Sequence, residues 1–149
     1  MEAVIFIGIQ ATGKSTFYKD NFFKTHIRIN LDMLKTRNRE DILLEACIKA
    51  KQPFVTDNTN PTPEDRKKYI SKAKDADFKV IGYYFQSSID AAVKRNEQRY
   101  GSEHVPLIGI RSTHSKLQLP DMNEGFDELY YVHINEENKF VVVGWENEI

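Results

Sequence analysis

Near the start of the chain, Gly8-Ile9-Gln10-Ala11-Thr12-Gly13-Lys14-Ser15-Thr16 has the residue types of an anion cradle. It matches the pattern G-x-x-x-x-G-K-[ST] and follows the apolar run Ala3-Val4-Ile5-Phe6-Ile7, with a helical pattern after it. Glycines at both ends let the backbone turn so that successive N–H groups point inward at a helix N-terminus, an arrangement that holds nucleotide phosphates. Lys14 then reaches the β and γ phosphate oxygens. The Ser15 hydroxyl joins the shell of a Mg²⁺ ion whose other ligands are mostly water and phosphate.

A phosphate loop alone does not say where a phosphoryl group goes, so the acceptor must be read from other strand ends. Asp32, in Asn30-Leu31-Asp32, is the leading candidate. An ionised carboxylate within hydrogen-bond reach of a hydroxyl can orient it and accept its proton, whereas the bland alternative is a cap for the next helical turn. Asp57 has three open roles: holding a water of the Mg²⁺ shell, fixing a basic acceptor-binding side chain, or forming an Asx turn. Arg95 and Arg99 are four apart, so one helix would carry both on one face, where like charges repel unless an anion lies between them. With Gly101 as a hinge they suit a lid over the transferring group; surface pairing with Glu97 or Glu103 is the alternative.

The elements that must position these groups alternate along the chain. Helical patterns cover Lys14–Lys24, Arg39–Lys51 with Leu43, Cys47 and Ala50 inward, and Thr62 to about Ala76 with a Thr cap, a first-turn proline and an acid three residues on. Others begin at Ser87-Ser88 and Val105-Pro106. Strand patterns fall at the apolar run before Gly8, at His26–Asn30, Phe54–Thr56, Lys79–Phe85 and Phe126–Ile134, and the run Lys139–Val143 closes a hairpin. The expectation is an α/β fold with a mostly parallel sheet flanked by helices and a C-terminal antiparallel edge hairpin. Ligands then collect beyond the carboxyl ends of the strands, where Gly8, Asp32 and Asp57 all fall.

A chain of 149 residues suits a single domain over 1–149, burying about 70% of its unfolded surface. No apolar run approaches a membrane span of roughly 20 residues and no signal-peptide pattern opens the chain, so a cytoplasmic location without a membrane partner is expected. The lone Cys47 excludes an internal disulfide, and the four histidines lack ligand spacing for structural zinc. The net charge is −1, yet residues 121–149 hold eight acids, Glu148 among them, against Lys139 alone, leaving a basic body and an acidic tail. Such a body suits an anionic substrate larger than a nucleotide, and a merely solvated tail is the competing reading.

Taken together, the loop at Gly8–Thr16, Asn30-x-Asp32, Asp57-Asn58-Thr59-Asn60-Pro61, Lys94–Arg99, Val105-Pro106, Leu119-Pro120 and Glu124-Gly125-Phe126 resemble, in that order, the kinase domain of polynucleotide 5′-hydroxyl kinases. The likeness implies a P-loop phosphotransferase in which Lys14 and Ser15 bind the phosphates of ATP with Mg²⁺. It further implies that Asp32 is the base on a 5′-hydroxyl and Arg99, supported by Arg95, the lid arginine, with Asp57, Asn60 and Lys35 on the acceptor side. One departure is Lys35, where the family pattern has an arginine that grips the acceptor's phosphate bidentately; lysine is a less directional point charge, and Arg37 or Arg39 stand nearby. No stretch resembles the phosphatase domain that accompanies many of these kinases, so phosphorylation alone is expected.

Three readings follow. The first moves the γ-phosphoryl of ATP to a 5′-OH end of RNA or DNA; the second sends it to a small molecule, nucleoside or tRNA-linked acceptor. The third is an ATP-binding switch or slow ATPase, which leaves Asp32 and both arginines unused. Oligomeric state is not legible in the sequence.

Overall fold

The apolar run after Met1 becomes β1 (Glu2–Ile7), and its residues Ala3 to Ile7 are each 0% exposed because both faces of this strand are covered. In the computed structural model, which describes residues 1–101 and 104–146, β1 lies parallel between β3 (Phe54–Thr56) and β4 (Lys79–Phe85). Beyond β3 lies β2 (Ile27–Ile29), and beyond β4 lies β5 (Glu128–Ile134), both parallel to their neighbours. Among the described residues only β6 (Phe140–Gly144) is antiparallel, so the six-stranded order is β2-β3-β1-β4-β5-β6 with the expected hairpin at one edge.

Helices cover both faces. Against one, α1 (Lys14–Asn21) builds an aromatic layer in which Phe6, Phe17, Phe22 and Phe85 meet Tyr83 and Phe140. Against the other, α3 (Arg37–Ala50) and α4 (Pro63–Asp75) bury Leu44, Cys47, Tyr69, Ile70 and Ala73 on Ile5 and Ile7. The expected capping box of α4 is present, with Thr62 accepting from the Asp65 N–H and Asp65 returning the bond. A one-turn helix, α2 (Leu31–Leu34), follows β2, and α5 (Ile89–Asn96) and α6 (Leu107–Lys116) follow β4.

Four expectations shift. The helix α1 stops at Asn21, short of the expected Lys24, because Phe22 turns into the core and its carbonyl accepts from Thr25 and His26, while Phe23 is left exposed. In α3, Cys47 is buried and Leu43 packs half-buried on the core as expected, but Ala50 is exposed, and Glu40 and Leu44 complete the buried stripe. The helix α5 ends at Asn96, so Arg95 and Arg99 do not share a helix face; Arg99 follows on the turn. The acidic tail is not segregated from the basic body: Glu124 pairs Arg66, Asp127 pairs Lys74 and Glu128 pairs Lys79. Glu103 and Glu148 lie outside the described residues.

The Arg66 guanidinium is 0% exposed and makes two bonds to Glu124, with Nη1 also donating to the carbonyls of Asn60 and Gln118. It thereby ties α4 to the loop after β3 and to the segment before β5. Replacing it with alanine leaves Glu124 and two carbonyls without their donor, and such a break in a buried pair costs about 3–5 kcal/mol. The expected result for Arg66→Ala is a urea midpoint lowered accordingly with little change in the transition's slope.

Candidate active site

The loop between β1 and α1 is anchored on three sides. The Gly8 N–H donates to Thr59 O at 3.0 Å, the Ile9 N–H to Ser87 Oγ at 3.1 Å, and the Gln10 amide to Thr113 Oγ1 of α6 at 2.9 Å. Gly13 takes φ +92°, and a Cβ there would lie 2.8 Å from the Phe140 ring, so both backbone and space require glycine. Ala11 takes the left-handed region with φ 61° and is covered by α6 through Ile110. Ser15 and Thr16 open α1 and are exposed.

Inside this loop the Lys14 amine donates to Ile9 O at 2.6 Å and approaches Thr12 Oγ1 at 3.4 Å. Burial pushes its pKa down to about 8; the negative charges of Asp57 and Asp32 oppose the fall, and the positive charge of Arg99 adds to it. Groups from β1–α1, α2, β3 and the turn after α5 therefore act on one ammonium. Arg95 reaches the same loop, its Nη1 3.4 Å from Ala11 O, and burial lowers its pKa.

Asp32 stands exposed on α2, whose single turn is held from outside. Asn30 caps it by accepting from the Met33 N–H at 3.0 Å and donates its own amide to Asp57 O. Asn58 Oδ1 accepts the Leu31 N–H at 2.9 Å, and its Nδ2 donates to Glu40 Oε2 at 3.2 Å. Glu40 is 0% exposed; burial alone would raise its pKa, but hydrogen bonds from Lys68 and Tyr69 with the charges of Lys68 and Arg37 hold it below the usual range. The capping role weighed for Asp32 belongs to Asn30, which leaves the carboxylate facing outward. Sequence reasoning missed the Asn58–Glu40–Tyr69 support because an acid in an apolar stripe reads as surface.

Lys35 ends α2 with φ 74° and is exposed, with Arg37 and Arg39 a few residues on. Asn60, expected on the acceptor side, is 4% exposed and turns its amide onto Phe6 O at 2.8 Å, so it braces β1 instead. Asp57 is 2% exposed and accepts from Ser15 Oγ at 3.0 Å and from Arg28 Nε at 2.8 Å, both on Oδ2. Arg28, absent from the sequence reading, also gives Nη2 to Ser15 Oγ at 2.9 Å.

The donor set of a hydroxyl and a carboxylate, already gathered around the Arg28 cation, has the hard oxygen chemistry that suits Mg²⁺. Among the described residues no group of three or more His, Cys, Asp or Glu side chains could hold a metal by itself.

Residues 35–129 match a family model described as AAA domain, well over half of the chain. This chain belongs to the AAA domain family. The chain is 33% identical over 129 residues to the bifunctional polynucleotide phosphatase/kinase of Schizosaccharomyces pombe, covering 84% of this chain and 32% of that protein. It is 28% identical over 135 residues to a putative bifunctional polynucleotide phosphatase/kinase of Acanthamoeba polyphaga mimivirus, covering 86% and 32% respectively. The chain thus spans about a third of the length of these relatives. The AAA domain here also superposes on a gluconokinase from Sinorhizobium meliloti 1021 with TM-score 0.64 and 16% identity, over 91% of this chain and 83% of that one, a likeness of fold. A P-loop kinase fold that binds nucleotide accounts for the phosphate loop, the sheet order and these similarities.

Proposed function

We propose that this chain transfers the γ-phosphoryl group of ATP to a hydroxyl acceptor, and that the acceptor is the 5′-OH end of RNA or DNA. The observation that carries the reading is the placement of Asp32: exposed on α2, near enough for its charge to act on Lys14, and followed by the exposed cations Lys35, Arg37 and Arg39. A polyanionic strand meets such cations through its phosphates while its terminal hydroxyl faces the carboxylate. Similarity to two proteins named polynucleotide phosphatase/kinase supports the same acceptor class.

In this mechanism the Asp32 carboxylate orients the acceptor hydroxyl and takes its proton as the oxygen attacks the γ-phosphorus and the bond to the β,γ-bridging oxygen breaks, releasing ADP. Lys14 leaves Ile9 O and Thr12 Oγ1 to hold the phosphate oxygens, and the loop N–H groups keep them in line. Arg99 and Arg95 supply positive charge to the transferring group from the side of α5. Ser15 and Asp57 are the residues that would hold Mg²⁺, which would supply positive charge against the charge developing on the phosphates.

The test is transfer from γ-labelled ATP with Mg²⁺ to a panel of 5′-OH RNA, 5′-OH DNA, 3′-nucleotides and sugars. Labelling of the oligonucleotides is the expected result. Labelling of a small acceptor alone moves the activity to a small-molecule kinase, and hydrolysis without any acceptor dependence supports a switch or ATPase.

A further inference from the structure

The contact that no sequence motif announced is Arg28. It sits on β2, whose outer side has no neighbouring strand among the described residues, and its side chain keeps 28% of its surface exposed. The strand turns Ile29 into the core and Arg28 the opposite way, toward α1. There the guanidinium makes two directed bonds, Nε to Asp57 Oδ2 at 2.8 Å and Nη2 to Ser15 Oγ at 2.9 Å, while Ser15 Oγ lies 3.0 Å from the same carboxylate oxygen. The Ser15 proton can go to Asp57 and a lone pair of Ser15 receives the Arg28 N–H. Three polar groups from β2, α1 and the end of β3 close a triangle with a positive charge at one corner.

We propose that Arg28 is a built-in competitor for the metal of this site. Its guanidinium holds the two side-chain oxygens that would serve Mg²⁺ and must withdraw before they can do so. This inference rests on the reading of the loop as a metal-assisted nucleotide site. The withdrawal is open to it physically, since an arginine on an edge strand with part of its surface in solvent can swing outward on its long stem. Two further consequences follow. In the nucleotide-free protein Arg28 compensates the buried Asp57 carboxylate, so the site is folded and neutralised without metal. On loading, the requirement for Mg²⁺ is raised above what Ser15 and Asp57 alone would impose, because a cation must be displaced as well as a cation bound.

The experiment uses ADP, so that no turnover occurs, and titrates Mg²⁺ while following thermal stabilisation of wild type, Arg28→Met and Arg28→Gln. Removing the charge is expected to lower the Mg²⁺ concentration for half-maximal stabilisation by at least about threefold in either variant, since a like charge at contact distance is removed from the metal's surroundings. A second readout separates competition from a loss of packing. Without nucleotide, both variants melt below wild type, and Mg²⁺ alone restores more of the melting temperature in them than it adds to wild type. Arg28→Gln keeps a hydrogen-bond donor toward Asp57 and serves if Arg28→Met does not fold. A Mg²⁺ requirement that is unchanged or raised in the folded variants overturns the proposal and leaves the nucleotide site standing. ADP binding by wild type that does not respond to Mg²⁺ at all overturns both.

Discussion

Replacing Asp32 by asparagine is expected to lower phosphoryl transfer by about 10²–10⁴-fold while ADP still binds. The amide has nearly the shape of the carboxylate, so α2 and its Asn30 and Asn58 supports are kept, and what is lost is the ability to accept the hydroxyl proton. The charge of Asp32 also helps Lys14 stay protonated against burial, so its removal lowers the Lys14 pKa further. ADP affinity therefore weakens modestly, and more so at higher pH. The measurement is kcat against a saturating 5′-OH oligonucleotide, paired with ADP titration at two pH values. A variant that transfers phosphate at the wild-type rate removes Asp32 from the chemistry.

The second large effect concerns Lys14 and has opposite signs for binding and stability. Its pKa of about 8 in the fold against 10.5 as the ordinary value corresponds to roughly 3 kcal/mol of unfavourable burial. Lys14→Met removes that burden but takes away one of the two donors to Ile9 O, which keeps the Thr12 hydroxyl, and the Lys14 approach to Thr12 Oγ1, at about 1 kcal/mol each. The nucleotide-free variant is then more stable than wild type by about 1 kcal/mol or more at pH 7. In the same variant ADP binding falls by about 10–100-fold, the worth of charge-assisted bonds to phosphate. A pH series checks the cause. Between pH 8 and 10.5 the unfolded chain holds the Lys14 proton more often than the fold does, so this group makes wild-type stability rise with pH through that window. The methionine variant lacks the rise. Denaturant unfolding at several pH values reads it directly, and equal slopes in the two proteins would show that Lys14 is not buried as a charge.

Both predictions depend on placement that the sequence only partly discloses. The asparagine two residues before Asp32 could be read as turn chemistry, but its role as cap to a helix of four residues needed the following chain to fold back, and a single turn has no periodicity to detect. The inward face of α3 takes in Glu40, which hydrophobic spacing alone does not place there, because Lys68, Tyr69 and Asn58 make burial of that acid tolerable. The charge asymmetry between tail and body along the chain is partly offset in space, where three of the tail's acids meet cations of the body. The parallel pairing of β5 beside β4, and the docking of the segment before β5 on α4, set Glu124, Asp127 and Glu128 against the body's own cations.

By itself the sequence determined the phosphate loop, the alternation of strands and helices, the capping box of α4 and the closing hairpin, because each is written in residues close along the chain. Glycine at a left-handed position, proline at a first turn and a run of apolar residues act through local sterics and hydrogen bonding, and these do not wait for the rest of the molecule. Tertiary structure alone decided which charged groups share a site. Arg28 meets Asp57 across 29 residues and Arg66 meets Glu124 across 58, and nothing local in either partner specifies the other. The same holds for Asn60, whose residue type fits an acceptor site as well as a brace. Parallel pairing of β2, β3 and β1 brings the loop after β3 over the end of β1, and burial there turns the Asn60 amide toward Phe6 O.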